Sequence, residues 1–365
     1  MKILQVITSL RMGGAERLVA ELAKRISGGS DTVEVLLFDG TATPLYEELE
    51  SAGIKVHSLG RGEAAMHNPL LLFKLRRFLN KGDYDIVHTH NTPCQLLTAL
   101  AAPKRKLVTT EHNTGNRRRF LPILKKLDRR MYSRYDHIVC VSQETQDNLS
   151  RWLGNKRLDA RMSVIPNGID IGRIANALPA AEMMEDGRHN VLMVSAFRPE
   201  KDQQTLIMAM SHLPGNYTLF LAGGAELPGH KALMEACQRL ARDLGLGERV
   251  RFLGLRDDVP ALLAASDAVV LSSLHEGMSL SILEAMASGR PLIASDVAGM
   301  REIVEGAGLL FPAGDAAKLA DAIRVVCEDS QKAGEISRRC KERARQYDIA
   351  AAARRYKELY EGLII

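Results

Sequence analysis

Residues 2–26 have the sequence KILQVITSLRMGGAERLVAELAKRI, and this stretch decides the fold class. The apolar run over 2–8 predicts a buried strand, and the apolar positions of 15–26 recur at helical spacing. Gly13 and Gly14 stand between them, as in a tight turn from a strand into a helix. A strand followed at once by a helix is the building block of a parallel α/β sheet.

The same alternation continues through the whole chain. It predicts twelve strands, at 2–8, 33–38, 54–58, 84–89, 106–110, 136–141, 190–195, 217–222, 249–253, 268–272, 291–295 and 308–311. Twelve strands are too many for one comfortable open sheet, so we assign six to each of two Rossmann-like, doubly wound domains. Such domains facing each other across a cleft would offer the carboxyl ends of their strands to a ligand.

The domain boundary is predicted near the turn-forming sequence Pro166-Asn167-Gly168. We therefore expect a first domain over 1–170, a linker over 171–188 and a second domain over 189–345. The remaining residues, 346–365, have a helical pattern and lie beyond the last strand, so this helix can pack back on the first domain.

Composition excludes several classes of protein. Of the 365 residues, 46% are hydrophobic and 25% charged, which is typical of a globular chain and not of a disordered one. No apolar run approaches the ~18 residues of a membrane span. The five cysteines are scattered without C-x-x-C spacing, which favours a reducing cytoplasm over a disulfide framework or zinc site. The few aromatic residues argue against a stacking platform for nucleic acid.

Polar side chains follow the fourth and fifth predicted strands. His88 and His90 stand at the end of one, and Glu111 and His112 at the end of the next. Residues i and i+2 share a face of a strand, so these groups could form a metal cluster, although nothing else in the sequence supports a metal. Hydrogen bonding at strand ends is the simpler interpretation for His88, whereas His112 is the better candidate for a substrate contact.

The basic excess of the chain lies in its first half. Residues 1–186 hold 27 Lys and Arg against 21 Asp and Glu. Basic residues are most concentrated over 116–135. The basic residues that we assign to an acceptor or membrane contact are Arg117, Arg118, Arg119, Lys125, Lys126, Arg129 and Arg130. Apolar residues interleave with them at near-helical spacing, which favours contact with an anionic membrane or phosphorylated lipid. An amphipathic helix with its charges in water is the alternative.

Two segments of the second half could hold an anionic ligand. Arg198 and Lys201 follow a strand at the start of a helix, where cations suit a diphosphate, although a solvated loop would look the same. The segment 273–289, SLHEGMSLSILEAMASG, carries Glu276 in a loop and Glu284 in a short apolar helix. Ser281 and Glu284 also fit a capping box, in which Glu284 would only satisfy the helix end.

In this order along the chain, these residues resemble the family 4 retaining glycosyltransferases. The matching motifs are Gly13-Gly14-Ala15-Glu16, Pro166-Asn167-Gly168-Ile169-Asp170, Glu200-Lys201, Glu276-x7-Glu284, Gly289-Arg290-Pro291, Ser295-Asp296 and Gly299-x-x-Glu302. The resemblance covers essentially the whole chain and implies a GT-B fold. It implies a nucleotide-sugar donor in the second domain, an acceptor in the first, and neither metal nor cofactor.

The resemblance also implies roles for single residues. Lys201 would neutralise the donor diphosphate with help from Gly13 and Gly14, and His112 would contact the transferred sugar. Glu284 would bind the ribose of the nucleotide. The other donor contacts implied are the base pocket at Gly254 and the loop residues Glu276, Gly277, Met278, Ser279 and Leu280. His112, Lys201, Arg198 and Glu276 are the candidate catalytic residues.

One position departs from the family pattern. Many members carry an arginine five residues before the lysine, where this chain has Ala196, and Arg198 is the candidate substitute. No residue is an evident covalent nucleophile, so we expect front-side attack, with Glu276 left open as a nucleophile.

The resemblance to the family implies a UDP-hexose or UDP-N-acetylhexosamine, rather than a GDP-sugar, as donor. We expect a glycan or polyprenyl-diphosphate-linked sugar as acceptor, at the inner face of the cell membrane, in surface polysaccharide synthesis. Two competing functions are a sugar-nucleotide epimerase of the same fold and a non-catalytic module that binds nucleotide-sugars or lipids.

Overall fold

The computed structural model describes every residue except 12, 63–67, 69, 102–104, 113–120, 122, 186, 226, 277 and 365. The chain divides into two compact units. The first comprises residues 1–168 together with 349–365, and the second comprises residues 169–348. Each unit is one parallel sheet covered by helices, which confirms the expected doubly wound α/β fold class.

The first unit contains a seven-stranded sheet. Its strands are β1 (Lys2–Ile7), β2 (Thr32–Leu37), β3 (Lys55–Ser58), β4 (Ile86–His90), β5 (Lys106–Glu111), β6 (His137–Cys140) and β7 (Met162–Val164). Its helices are α1 (Gly14–Ile26), α2 (Pro44–Ser51), α3 (Leu71–Lys81), α4 (Thr92–Ala101), α5 (Leu124–Tyr132), α6 (Gln143–Leu153) and α7 (Lys156–Asp159). The strand order is β3-β2-β1-β4-β5-β6-β7.

The second unit contains a six-stranded sheet. Its strands are β8 (His189–Val194), β9 (Tyr217–Ala222), β10 (Val250–Gly254), β11 (Ala268–Leu271), β12 (Leu292–Ser295) and β13 (Leu309–Phe311), in the order β10-β9-β8-β11-β12-β13. Its helices are α8 (Ile171–Ala175), α9 (Gln203–Ser211), α10 (Pro228–Asp243), α11 (Val259–Ala264), α12 (Leu280–Ser288), α13 (Ala298–Val304), α14 (Ala316–Glu328) and α15 (Ser330–Ala344). The last helix, α16 (Ile349–Ile364), belongs to the first unit.

The expected twelve strands are present and a thirteenth joins them, so the division into six and six is wrong. β7 pairs with β6 at the edge of the first sheet. It has only three residues with a serine in the middle, so it could not be predicted as a strand from a run of apolar residues. The segment 171–188, expected as a linker, lies within the second unit and includes α8. Among the described residues, no helix combines the length and apolarity that a membrane span requires.

The two faces of the first sheet pack against different helices. Ile3 and Ile7 of β1 belong to a core cluster that includes α1 and α16, whereas Leu4 and Val6 belong to one that includes α3, α4 and α6. This follows from the two-residue period of a strand, which turns successive side chains to opposite faces. Gln5, between Ile3 and Ile7 on β1, is buried on the α16 face and donates a hydrogen bond to Tyr360 Oη.

Both strand orders reverse direction once, between β1 and β4 in the first sheet and between β8 and β11 in the second. A crevice opens at such a switch point outside the carboxyl ends of the strands, and open α/β sheets bind ligands there. In each unit, the segments after these strands are therefore where a site is expected.

Candidate functional site

The switch point of the second sheet carries a cation and a carboxylate in contact. Lys201 ends a 3-10 turn after β8, and Glu276 lies in the loop after β11. Lys201 Nζ forms an ion pair with Glu276 Oε2, and both side chains are only 15% exposed. Ser273 Oγ also donates to this carboxylate oxygen, at 3.3 Å. Because water screens a half-buried pair poorly, the charges act more strongly here than on an open surface.

Hydrogen bonds between the two loops hold this pair in place. Ser272 Oγ donates to the backbone oxygen of Asp202 at 2.9 Å, and Leu274 N donates to the backbone oxygen of Glu200 at 2.8 Å. Asp202 has φ of +48°, a left-handed conformation that few non-glycine residues adopt, and its side chain caps α9. The loops after β8 and β11 are thus joined to each other, which fixes the cation relative to the carboxylate.

Glu284 lies inside α12, past its first turn, and is half-buried. The N-cap of α12 is Ser279, and Ser281 lies within the helix, so the capping box considered for Glu284 is wrong. Ser279 makes no side-chain capping bond. The first backbone N–H groups of the helix, from Leu280 onward, point out of its N-terminus, an arrangement that suits an anion.

The segments after β8, β9 and β10 pack closely at the same edge of the second sheet. Gly254, at the end of β10, has φ of +68°, and its carbonyl accepts a hydrogen bond from Gly223 N at 2.8 Å. A Cβ at Gly223 would overlap the backbone oxygen of Ser195, so only glycine fits. Ala196 stands half-buried in this packed segment, whereas Arg198 is exposed on the turn that follows.

Gln203 was not expected from the sequence as part of this region. It is 1% exposed in the first turn of α9, and its Nε2 donates to Ser195 Oγ at 3.1 Å and to the backbone oxygen of Ala196 at 3.0 Å. It therefore supports the loop in which the family arginine would stand. A glutamine near the start of a predicted helix was its only sequence signal.

Gly13 and Gly14 lie at the start of α1, at the switch point of the first sheet. Gly13 is the N-cap in an extended conformation, and Gly14 is the first helical residue; both are exposed. The Glu16 carboxylate folds back to the position that a Cβ at Gly13 would need. An anion at this helix start would have to compete with that carboxylate.

His112 directly follows β5 and contacts a second histidine. His112 Nε2 and His90 Nδ1 lie 3.0 Å apart, and both ring nitrogens of His88 and of His90 take part in hydrogen bonds. Burial lowers the pKa of His112 to about 4 and the pKa values of His88 and His90 well below 6.5. All three rings are therefore neutral at pH 7.

A metal cluster at these strand ends has no support in the geometry. Glu111 points to the other face of the sheet, where its Oε1 accepts hydrogen bonds from Gln95 Nε2 at 2.6 Å and Tyr132 Oη at 2.5 Å. Within the described part of the chain, no three His, Cys, Asp or Glu side chains come together as metal ligands would. The histidines instead bond to one another and to neutral groups.

Comparisons with known proteins agree with this architecture. Glycosyltransferase Family 4 matches residues 12–173, and Glycosyl transferases group 1 matches residues 188–329. The chain belongs to the family 4 glycosyltransferases. Its two units are the two Rossmann-like domains of the GT-B fold.

Three similar proteins span nearly the whole of this glycosyltransferase. Phosphatidyl-myo-inositol mannosyltransferase of Mycobacterium leprae is 27% identical over 96% of this chain and 93% of its own length. An Escherichia coli UDP-Gal:alpha-D-GlcNAc-diphosphoundecaprenol alpha-1,3-galactosyltransferase is 26% identical over 88% and 87%. The crystal structure of Anabaena HepE with UDP-glucose superposes with a TM-score of 0.85 at 26% identity, covering 99% of this chain and all of that one.

The basic residues of helix α5 of this glycosyltransferase fall into two groups, those that contact the next helix and those that are exposed. Arg129 Nε donates to the backbone oxygen of Leu153, and Lys125 Nζ lies 5.8 Å from the centre of the Trp152 ring, so both contact the next helix. Lys126 and Arg130 are exposed. Leu127 of the helix is 42% exposed, and Leu121 and Ile123, just before its start, are 55% and 83% exposed. Met131 and Tyr132 of the same helix are buried, so a membrane contact and an amphipathic helix with its charges in water both remain predictions.

Four of the expected site residues, Gly277, Arg117, Arg118 and Arg119, lie outside the described residues. In the second unit the structure brings Lys201 and Glu276 into contact. In the first unit it brings His112 against His90. These contacts are the geometric basis for a function.

Proposed function

We propose that this glycosyltransferase moves a hexosyl or N-acetylhexosaminyl group from a UDP-sugar to a glycan or lipid-linked acceptor, with retention at the anomeric carbon. The ion pair of Lys201 and Glu276 carries the proposal. A sugar diphosphate combines an anionic leaving group with neutral hydroxyls. An ammonium suits the first and a carboxylate accepts hydrogen bonds from the second.

The other donor contacts follow from positions near this pair. The N–H groups at the start of α12, over 278–280, would complement the diphosphate. Glu284, in the second turn of that helix, would bind the ribose, and Gly254 would border the base. Arg198 supplies a second cation, at lower electrostatic strength because it is exposed.

The first unit would supply the remaining groups. His112 would contact the transferred sugar, and the start of α1 at Gly13 and Gly14 would approach the diphosphate. For the latter contact, the Glu16 carboxylate must turn away from the helix start. Both assignments follow the pattern of the family.

The chemistry proposed is a front-side displacement. The bond from the anomeric carbon to the diphosphate oxygen breaks as the acceptor oxygen bonds to the same face of that carbon. The acceptor proton passes to the leaving diphosphate oxygen. Fixed cations and amides stabilise the charge that develops on the diphosphate, so no divalent ion is required. Glu276, paired with Lys201 and Ser273, serves as a hydrogen-bond acceptor and charge partner in this scheme.

The relatives support a UDP-sugar donor and a lipid-linked acceptor. HepE crystals contain UDP, or UDP with glucose, or UDP-glucose. The E. coli relative is named for UDP-Gal and a diphosphoundecaprenol acceptor, and the mycobacterial one for phosphatidyl-myo-inositol. Both named acceptors are lipids, so we propose work at the cytoplasmic face of the cell membrane, in surface polysaccharide synthesis.

The exposed side of α5 supports a peripheral membrane contact. Ile123, Lys126, Leu127 and Arg130 follow the i, i+3, i+4, i+7 pattern of one helix stripe. Apolar side chains that enter the headgroup region, next to cations that attract anionic lipid, are typical of an interfacial helix. This face would bring the first unit to its lipid acceptor.

A thermal-shift panel tests the donor assignment. A ligand that binds only the folded protein raises its melting temperature, so we expect UDP and UDP-sugars to stabilise the enzyme and GDP-sugars not to. Glu284→Ala should abolish the shift, and Glu235→Ala, a control at an exposed position of α10, should keep it. Stabilisation by GDP-sugars alone would contradict the donor assignment.

Incubation of the stabilising donor with polyprenyl-diphosphate-linked sugars then tests the reaction. We expect an elongated lipid-linked product and released UDP. A donor sugar that is epimerised without acceptor would indicate an epimerase instead. A donor that binds and stays intact with every acceptor would indicate a non-catalytic module.

A further inference from the structure

A continuous chain of side-chain hydrogen bonds connects His112 to the last helix of the protein. His112 Nε2 lies 3.0 Å from His90 Nδ1, and His90 Nε2 lies 2.8 Å from Gln5 Oε1. Gln5 Nε2 donates to Tyr360 Oη at 3.2 Å. The contacts cross from β5 to β4, then to β1, and end on α16.

The series of side-chain hydrogen bonds continues beyond Tyr360 on the same face of the sheet. Tyr360 Oη lies 2.6 Å from His88 Nδ1, and His88 Nε2 lies 2.8 Å from Thr110 Oγ1. Tyr356 Oη, one turn earlier on α16, lies 3.2 Å from the same Thr110 hydroxyl. The strand register explains the cluster, because β1 pairs Gln5 with His88 across the β1–β4 ladder.

Every side chain in this hydrogen-bonded series except His112 is fully buried. Gln5, His88, His90, Thr110, Tyr356 and Tyr360 have 0% exposure. The desolvation that lowers the pKa values of His88 and His90 keeps both rings neutral, so each carries one ring proton. With water excluded, the protons of each hydrogen bond constrain those of the next.

The amide of Gln5 sets the direction of these bonds. Its Oε1 can only accept, so His90 Nε2 carries the proton and donates to it. His90 Nδ1 is then the acceptor, and His112 Nε2 must carry a proton to donate to it. In the neutral ring of His112, Nδ1 is therefore the unprotonated nitrogen. Tyr360 receives the Gln5 amide hydrogen and donates its own to His88 Nδ1.

We propose that Gln5, His90 and Tyr360 are positioning residues that hold His112 in the Nε2–H tautomer, with Nδ1 presented as a hydrogen-bond acceptor for a substrate hydroxyl. The substrate part rests on the proposed function, in which His112 contacts the transferred sugar. The tautomer part stands on the hydrogen bonds alone. Tyr360 thus gives α16, which follows the entire second unit in sequence, a role in orienting a residue after β5.

The Tyr360→Phe variant tests the proposal, because phenylalanine keeps the ring in the core and removes only the hydroxyl. Gln5 then loses the partner that fixes its amide, and His112 loses its single tautomer. Long-range ¹H–¹⁵N NMR of the imidazole rings reports which nitrogen is protonated, with the His112 signals assigned by their loss in His112→Asn. We expect Nε2–H alone in the wild type and both tautomers in Tyr360→Phe.

Tyr135→Phe is a matched control. The Tyr135 hydroxyl is as buried as that of Tyr360 in the same unit, and it donates to the backbone oxygen of Gln95 at 2.7 Å on the other face of the sheet. It should leave the tautomer of His112 unchanged. Transfer activity should fall about 10–100-fold in kcat in Tyr360→Phe with little change in donor KM, the size of effect seen when the partner that orients a metal-ligating histidine is removed.

Two results would overturn the proposal. One is an Nδ1–H tautomer of His112 in the wild type, which needs no variant and no donor. The other is a folded Tyr360→Phe, or Gln5→Met should the first variant not fold, that keeps the wild-type tautomer and kcat. If the tautomer changes as expected but no variant or wild type transfers sugar, the proposed function fails and the positioning chain stands.

Discussion

Neutral, buried histidines make the first unit sensitive to acid. Burial holds the pKa values of His88 and His90 well below 6.5, lowers that of His112 to about 4, and also lowers that of His137. In the unfolded chain each would titrate near 6.5. As the pH falls through 6.5, the unfolded state therefore takes up protons that the folded state does not.

The first unit should lose stability between pH 7 and pH 5. The contribution of these histidines is fully present above about pH 6.5, and each loses up to about 1.4 kcal/mol per pH unit below it. Carboxylates titrate mostly below this window. The single tryptophan, Trp152, lies in the first unit, so urea unfolding followed by its fluorescence measures the effect. A free energy of unfolding that is constant or rises over this range would contradict the burial of these rings.

Some residues of the site could be predicted from the sequence and others could not. Lys201 and Glu276 stand in recognisable motifs, and the structure brings them into contact. The contact between Gln5 and Tyr360 spans 355 residues, so no local pattern could have indicated it. The sequence offered only a polar residue in an otherwise apolar strand. The family-based roles of Glu284 and Gly254 remain predictions.

Helix α5 is an amphipathic helix whose exposed side is not purely polar. Its exposed stripe mixes apolar and basic residues, whereas Asp128 on the opposite side is buried and accepts a hydrogen bond from Trp152 Nε1 at 2.9 Å. Met131 and Tyr132 of the helix pack in the core, together with this polar contact, and Ile123 and Leu127 stay outside it. The charge run alone could not distinguish this from a solvated face.

Reversing two charges on this stripe should weaken membrane binding. Each basic residue near an anionic surface contributes about 1 kcal/mol, so Lys126→Glu with Arg130→Glu should lower the affinity for phosphatidylglycerol vesicles by about 30-fold or more. Lys318→Glu with Lys332→Glu makes the same charge change on exposed helix positions of the second unit. Flotation with vesicles compares the two. Equal loss in both double variants, or none in the first, would contradict the assignment of this face.

Helix α16 shows why an element can be predicted without its partners. Its helical pattern and its place after the last strand indicated a helix able to return to the first domain. Ile349, Ala352, Ala353, Tyr356 and Tyr360 do pack in the core cluster of that unit. The hydrogen bonds of its two tyrosines depend on the register of β1, β4 and β5, which spacing along one segment cannot give.

At the scale of the whole molecule, the parallel α/β architecture was largely predictable because buried parallel strands have continuous apolar sequences. The exceptions are instructive. β7 has only three residues, and residues 169–188 join the second unit although they lack a clear strand. Such assignments depend on which core a segment packs against, and local sequence does not encode that directly.

In the proposed function, fixed protein charges led by Lys201 hold the donor diphosphate without a divalent ion. Initial rates of transfer from the UDP-sugar, measured with and without excess chelator, test it most directly. We predict that chelator leaves the wild-type rate unchanged, and that Lys201→Ala lowers kcat about 10²–10³-fold while the exposed-site control Lys231→Ala does not. Activity that disappears with chelator and returns with magnesium, or a Lys201→Ala enzyme that turns over like the wild type, would contradict the account.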